Sequence, residues 1–212
     1  MKNSVINTNS LPNFEEIIID NNIYDEATII QKNIEKKSNI NIQSVNSEII
    51  SCNLSNSSFL TSNFIKIYVK DSLISNSNFS NYQFENSTLK EVEIKDSKLF
   101  ATNFTNSYFE EVTFSNCILS NSEFSNSRFV NCKFIDCNIS NSNLKNITHK
   151  NLVFTNCNLT ECNLSNTSLS GINLSTDVID SIISYPQDLK GAIMSEYQAL
   201  EYIKLLGIKI SK

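Results

Sequence analysis

Three glycines, two prolines, one histidine and no tryptophan occur among the 212 residues. The scarcity of Gly and Pro argues against a turn-rich sandwich, which needs them at its many tight corners. Scattered glycines cannot build a phosphate-cradling loop. A single histidine, His149, forms no zinc cluster, and it leaves a Ser–His–Asp set only if it serves that set itself. No catalytic residue, metal or cofactor is therefore expected, and an enzyme is not the expected reading. No apolar run reaches membrane-spanning length, and residues 1–13 lack a basic-then-apolar leader, so a cytoplasmic protein without membrane contact is expected. With a net charge of −5, direct nucleic-acid binding is not expected either.

What is present is a period. Every fifth position from Leu54 to Leu174 is apolar across twenty-five positions without an insertion, and only His149 breaks the type. Eleven of the thirteen phenylalanines lie in this register. Helices repeat near 3.6 residues and strands at 2.0, so a period of five belongs to neither. A chain built this way must coil as a solenoid, which works through its surface.

A second inward series runs two residues before the first, from Cys52 to Ile172. Twenty of its twenty-five members are Cys, Ser, Thr or Val, so the position takes a small side chain. All six cysteines fall there: Cys52, Cys117, Cys132, Cys137, Cys157 and Cys162. They read as small buried hydrophobes rather than metal ligands or disulfides, and free thiols suit a reducing compartment. One step earlier still, Asn fills more than half the positions, as at Asn56, Asn121 and Asn166. Asn tolerates left-handed backbone, which suits repeated corners where Gly is scarce.

Three parts are expected: an N-terminal capping segment at 1–50, repeats at 51–175, and a C-terminal cap at 176–212. In the first, Phe14–Asp20 reads as a strand that would cover the open first coil. In the last, Ser195-Glu196-Tyr197-Gln198 has the form of a capping box. Ala199, Ile203 and Leu206 make one apolar helical face, with Gly207 placed to stop the helix and Ile208–Ile210 able to add a strand. Such a helix either covers the last coil or pairs with a partner.

Segments such as Ser122-Glu123-Phe124-Ser125-Asn126 and Cys162-Asn163-Leu164-Ser165-Asn166 resemble the consensus of the pentapeptide-repeat family. The resemblance implies an all-β fold, a right-handed quadrilateral β-helix with four five-residue sides per coil, followed here by a short C-terminal α-helix. The tail resembles the family's C-terminal module, which joins two chains, and this implies a homodimer through Ala199, Tyr202, Ile203, Leu206 and Ile208. Several family members protect DNA gyrase and topoisomerase IV against quinolones or peptide toxins by imitating duplex DNA. The resemblance thus implies a topoisomerase partner, with a scaffold or protein-binding rod for an unrelated partner as the alternative.

Charge supports DNA imitation only locally. Residues 52–174 hold ten Asp/Glu and nine Lys/Arg, so the repeat body is nearly neutral. Asp71, Glu91 and Glu111 lie twenty residues apart and are expected to stack on one edge, with Glu110 beside them and Glu93 and Asp96 round the corner. Lys70, Lys90 and Lys95 nearby would offset stacked like charges. The set reads either as a mixed solvated edge or as an acidic contact ridge. The uninterrupted period leaves no room for the projecting loops that larger quinolone-resistance members carry.

Overall fold

Apolar side chains at every fifth residue can all face inward only if the chain turns a quarter circle between them. The computed structural model, which describes residues 28–31, 33–35, 43–58 and 63–205, does this. Almost every corner residue has a positive φ, from Asn56 at 51° through Asn126 at 59° to Asn166 at 58°. The preference for Asn at these positions is thus a preference for left-handed backbone. Ala101, Glu91 and Glu161 hold the same conformation (φ 53°, 56° and 58°), so the stacked coils impose it where the residue does not favour it.

The strands are β1 (Thr28–Ile30), β2 (Asn33–Glu35), β3 (Gln43–Val45), β4 (Glu48–Ile50), β5 (Asn53–Ser55), β6 (Asn63–Ile65) and β7 (Tyr68–Ser75). They continue as β8 (Thr88–Lys95), β9 (Tyr108–Glu110), β10 (Thr113–Ser115), β11 (Arg128–Val130), β12 (Lys133–Ile135), β13 (Thr148–Lys150) and β14 (Val153–Thr155). One helix, α1 (Glu196–Leu205), follows. All pairing is parallel and offset by twenty residues. On side one the register runs Val69, Leu89, Phe109, Phe129, His149; on side two it runs Ile74, Ile94, Phe114, Phe134, Phe154. Beyond the β3–β6 ladder on side four, sides three and four stack through single bridges, such as Asn78 to Lys98 to Ile118. The result is the right-handed, four-sided parallel β-solenoid with one C-terminal helix.

The ladder extends past residues 51 and 175 at both ends. Ile29 pairs with Ile49 and Ile34 with Leu54 at one end, and Asn173 pairs with Ile193 at the other. The strand expected at Phe14–Asp20, Phe59, Gly207, and the strand expected at Ile208–Ile210 lie outside the described residues.

Phenylalanines fill the centre in columns. Along side four, Phe64 lies 6.1 Å from Phe84, Phe84 lies 5.0 Å from Phe104, and Phe104 lies 5.1 Å from Phe124. Phe109 and Phe129 stack at 4.6 Å, and Phe114 and Phe134 at 4.7 Å, with ring planes within 4°. Offset stacking at such spacing adds about 0.5–1.5 kcal/mol per pair beyond burial. Parallel coils impose the geometry, since each ring repeats at the coil spacing.

The small inward position is chosen for more than size. Its backbone N–H points along the solenoid, and the hydroxyl one coil later accepts it: Ser107 N–H to Ser127 Oγ at 3.0 Å, Ser122 N–H to Ser142 Oγ at 3.0 Å. The same hydroxyl donates to a carbonyl of the preceding coil, as Ser127 Oγ does to Phe104 O at 2.8 Å. Ser107, Ser127, Ser142 and Thr167 each thereby satisfy a main-chain donor and a main-chain acceptor inside an apolar core. Cysteine keeps the donor half, with Cys162 Sγ reaching Ile139 O at 2.8 Å. All six thiols are free and buried. Burial pushes Cys162 up to about 12 and Cys132 up to about 11, which keeps both as protonated thiols.

At the C-terminal end the capping box forms as its sequence requires. Gln198 N–H donates to Ser195 Oγ at 3.3 Å, and Ser195 N–H donates to Gln198 Oε1 at 2.8 Å. Gln198 also does something the motif does not announce. Its buried Nε2 donates to Leu174 O at 2.9 Å and Asp177 O at 2.7 Å, carbonyls of the last coil. One side chain therefore caps both the helix and part of the solenoid's open edge.

Candidate docking surface

The repeat brings Asp71, Glu91, Glu110 and Glu111 together on the surface and sets Glu93 and Asp96 across the neighbouring side. Asp71, Glu91 and Glu111 occupy the corner between sides one and two, on successive coils, with φ of 48°, 56° and 55°. This corner column is continuous with Asn131, Asn151 and Gly171, so the carboxylates stand where the fold elsewhere tolerates Asn or Gly. Corner side chains cannot turn inward, because the inward rows on either side of them are filled. The three carboxylates are thus held outward in a line at the coil spacing of about 4.8 Å.

Their mutual closeness has a chemical consequence. The pKa of Glu91 is raised, first by a hydrogen bond shared with Asp71, then by partial burial and by repulsion from Asp71. Lys70 opposes the shift and Glu111 adds to it. Crowded negative charge of this kind is relieved by a cation placed against it.

The remaining predicted residues lie around this column. Glu110 sits on side one at the end of β9, with Lys90 Nζ at 3.2 Å and the Tyr108 hydroxyl donating at 3.4 Å. Glu93 is on side two, in register with Leu73 and Thr113, and Lys95 Nζ is 3.8 Å away. Asp96 occupies the far corner of side two (φ 51°) and accepts from Asn116 Nδ2 at 2.6 Å. Lys70 Nζ lies 3.4 Å from Asp71. Six carboxylates against these three ammonium groups leave a local excess of three negative charges. The structure therefore gathers Asp71, Glu91, Glu110 and Glu111, while Glu93 and Asp96 are set apart across side two.

His149 occupies its inward slot on β13 opposite Phe129, half-buried, with Nε2–H donating to Ser168 O at 2.6 Å. It thus serves a local backbone bond. Among the described residues no group of His, Cys, Asp and Glu is arranged to hold a metal ion, and no helix is long and apolar enough to cross a membrane.

The sequence-predicted residues of the tail fall in two sets. Ala199, Tyr202 and Ile203 are half-buried on α1, and Tyr202 packs on the core against which Leu189 and Met194 also lie. Leu206 and Ile208 lie outside the described residues. The sequence reading missed the exposed apolar positions of the last coils: Val178, Ile183, Tyr185 and Ile193 are each close to half exposed. Their signal was available, since Asn158, Asn163 and Asn173 are replaced one coil later by Val178, Ile183 and Ile193. A cavity of about 580 Å³ opens beside them, lined by Ile182, Pro186, Leu189, Lys190 and Tyr202 among others.

Fold and register define the class, a parallel β-solenoid with a five-residue period. Residues 107–182 match the family model described as a pentapeptide repeat region. The same twenty-residue ladder continues on both sides of that match, from Ile29–Ile49 at one end to Asn173–Ile193 at the other. Among solved structures it is similar to a trypsin-treated variant of QnrB1, a plasmid-mediated fluoroquinolone resistance protein, at TM-score 0.41 and 15% identity over 90% of this chain and 100% of that one. It is also similar to HetL, a pentapeptide repeat protein involved in heterocyst differentiation regulation in the cyanobacterium Nostoc sp. strain PCC 7120. There the TM-score is 0.33 and the identity 12%, over 82% of this chain and 91% of HetL. Full-length QnrB1 gives 0.28 and 15%, over 88% and 100%. No curated protein matches significantly.

Proposed function

We propose that the chain is a non-enzymatic docking protein that binds DNA gyrase or topoisomerase IV where the enzyme holds duplex DNA, and so protects or modulates it. The observation that carries this reading is the outward column Asp71, Glu91 and Glu111, repeated at the coil spacing on a straight ladder. A rigid row of carboxylates can stand in for phosphates on a basic saddle, yet it offers no phosphodiester to cleave. Glu110 widens the column on side one, and Glu93 and Asp96 extend the negative region across side two. The reading includes a cytoplasmic, tail-to-tail homodimer through α1, with Ala199, Ile203, Leu206 and Ile208 at the contact and Tyr202 behind them. Such a dimer would lengthen the rod and cover the apolar end.

A supercoiling assay with purified gyrase, with and without a fluoroquinolone, tests it. The native chain should alter supercoiling or relieve drug-induced cleavage. The triple variant Asp71→Lys, Glu91→Lys, Glu111→Lys should do neither while keeping its fold. Lysine is tolerated at these corners, because Lys66 already holds one with φ 58°. Light scattering that gives a monomer for the intact chain would remove the dimer. A second reading, a scaffold for another protein, is favoured by the exposed Val178, Ile183 and Ile193. It becomes the better account if gyrase and topoisomerase IV are both unaffected.

A further inference from the structure

The small inward column of side three runs Ser57, Ser77, Ser97, Cys117, Cys137, Cys157 and ends on an aspartate, Asp177. Asp177 takes the part that a hydroxyl plays on earlier coils, since its Oδ1 accepts the Cys157 N–H at 2.7 Å. It is only 6% exposed, and its Oδ2 is sealed from solvent without a hydrogen-bond partner. Its own carbonyl is one of the two that Gln198 of α1 holds. A buried carboxyl with an idle oxygen thus sits directly beneath the hydrogen bond that fastens the helix to the last coil.

We propose that Asp177 is a proton-operated latch on the C-terminal cap: protonated, it lets α1 and the last coil close, and ionised, it loosens them. The physical cause is solvation. An isolated carboxylate out of water is costly, and it draws in water or neutralises. Neutral carboxylic acid fits the site, because Oδ1 can still accept from Cys157 while the proton rests on Oδ2. The groups facing it offer no compensating charge. Cys157 on the preceding coil is a thiol, and α1 presents the uncharged Gln198. Burial raises its pKa to about 6 and the Cys157 N–H opposes the rise, with no charged neighbour contributing.

The sign follows from the folded value lying above the ordinary one of 3.8. Between those two values the folded state binds the proton that the unfolded state releases, so stability rises as pH falls from above 6 towards 4. Loosening at higher pH would free the ladder edge at Leu174 and Asp177 and the apolar side chains beside it. The cap would then regulate whether the end of the rod can pair with another chain.

Amide hydrogen exchange of the full chain at pH 5 and pH 8, corrected for intrinsic rates, provides the test. Wild type should show roughly tenfold or greater loss of protection at 174–205 on going to pH 8, as a shift of this kind requires, with 104–134 unchanged. Asp177→Asn should hold the pH 5 level of protection at both values. Asp177→Ser, the residue of the upper coils, guards against a variant that fails to fold and should likewise remove the pH dependence. Equal protection of wild type at both pH values, or the same pH dependence in both variants, would overturn the latch.

Discussion

The middle coils and the last coil follow one sequence rule and obey it unequally. Between about residues 84 and 134 the inward slots carry stacked phenylalanines, with Phe109, Phe114, Phe124, Phe129 and Phe134 at 0% exposure. Strands on two sides pair continuously with the coils above and below. The C-terminal end of the solenoid, from 168 to 194, has no strand, carries leucine and isoleucine inside, and leaves Ile183 at 57% and Ile193 at 52% exposed. It also holds the buried carboxyl of Asp177 and depends on one glutamine for part of its edge. An interior coil is satisfied from both directions, whereas a terminal one must find substitutes for the neighbour it lacks. Stability should therefore fall towards the C-terminus, with local opening beginning there.

The largest effect that can break this contrast is loss of a ring in the middle. Phe109→Ala removes a side chain stacked on Phe129 and packed edge-on to Phe104 at 5.5 Å. It should cost about 3–5 kcal/mol in denaturant unfolding, because rigid coils cannot collapse into the gap. A loss under about 1 kcal/mol would mean the coils relax around missing rings, contrary to the close packing of a protein interior.

A smaller and more local change is expected from Gln198→Ala. It leaves the carbonyl of Asp177 and the N–H of Ser195 without their partner, and it leaves Leu174 O with only the Asp177 N–H. About 1–3 kcal/mol should be lost, and exchange should accelerate at 174–205 while 104–134 keeps its protection. Uniform acceleration along the chain would show that the two regions unfold as one unit, and the contrast would lose its meaning.

The smallest effect sharpens the surface side of the comparison. Because Asp71 and partial burial raise the pKa of Glu91, its ionised form carries a cost above that pKa. Glu91→Gln should therefore be neutral to stabilising near pH 7, within about 0.5 kcal/mol as befits a surface position. Wild type and variant should converge as pH falls below the carboxylate range. A clear destabilisation at pH 7 would mean that the column is held by its lysines, and it would read as a solvated mixed edge.

How much of this was legible in the sequence depends on the range of the interaction. The period fixed the inward rows because one geometry serves every coil, so Phe64 to Phe124 could be placed on one side in advance. The capping box was legible because its partners lie three residues apart. The second role of Gln198 was not, since its acceptors lie 24 and 21 residues away. The reason for Ser over Ala in the small position was hidden likewise, because Ser127 bonds residues twenty and twenty-three positions earlier. The column Asp71, Glu91, Glu111 was readable from spacing alone. The ion pairs that divide its neighbours needed side-chain directions, which spacing does not carry.

The central claim is that this column is the contact for a basic DNA-holding surface. Binding of the intact chain to purified gyrase, followed across a series of salt concentrations, tests it most directly. The account predicts an affinity that falls steadily as salt screens exposed charge and that is lost in the Asp71→Lys, Glu91→Lys, Glu111→Lys variant. Binding that is unaffected by salt and equal in the variant, or no binding at all, would contradict it.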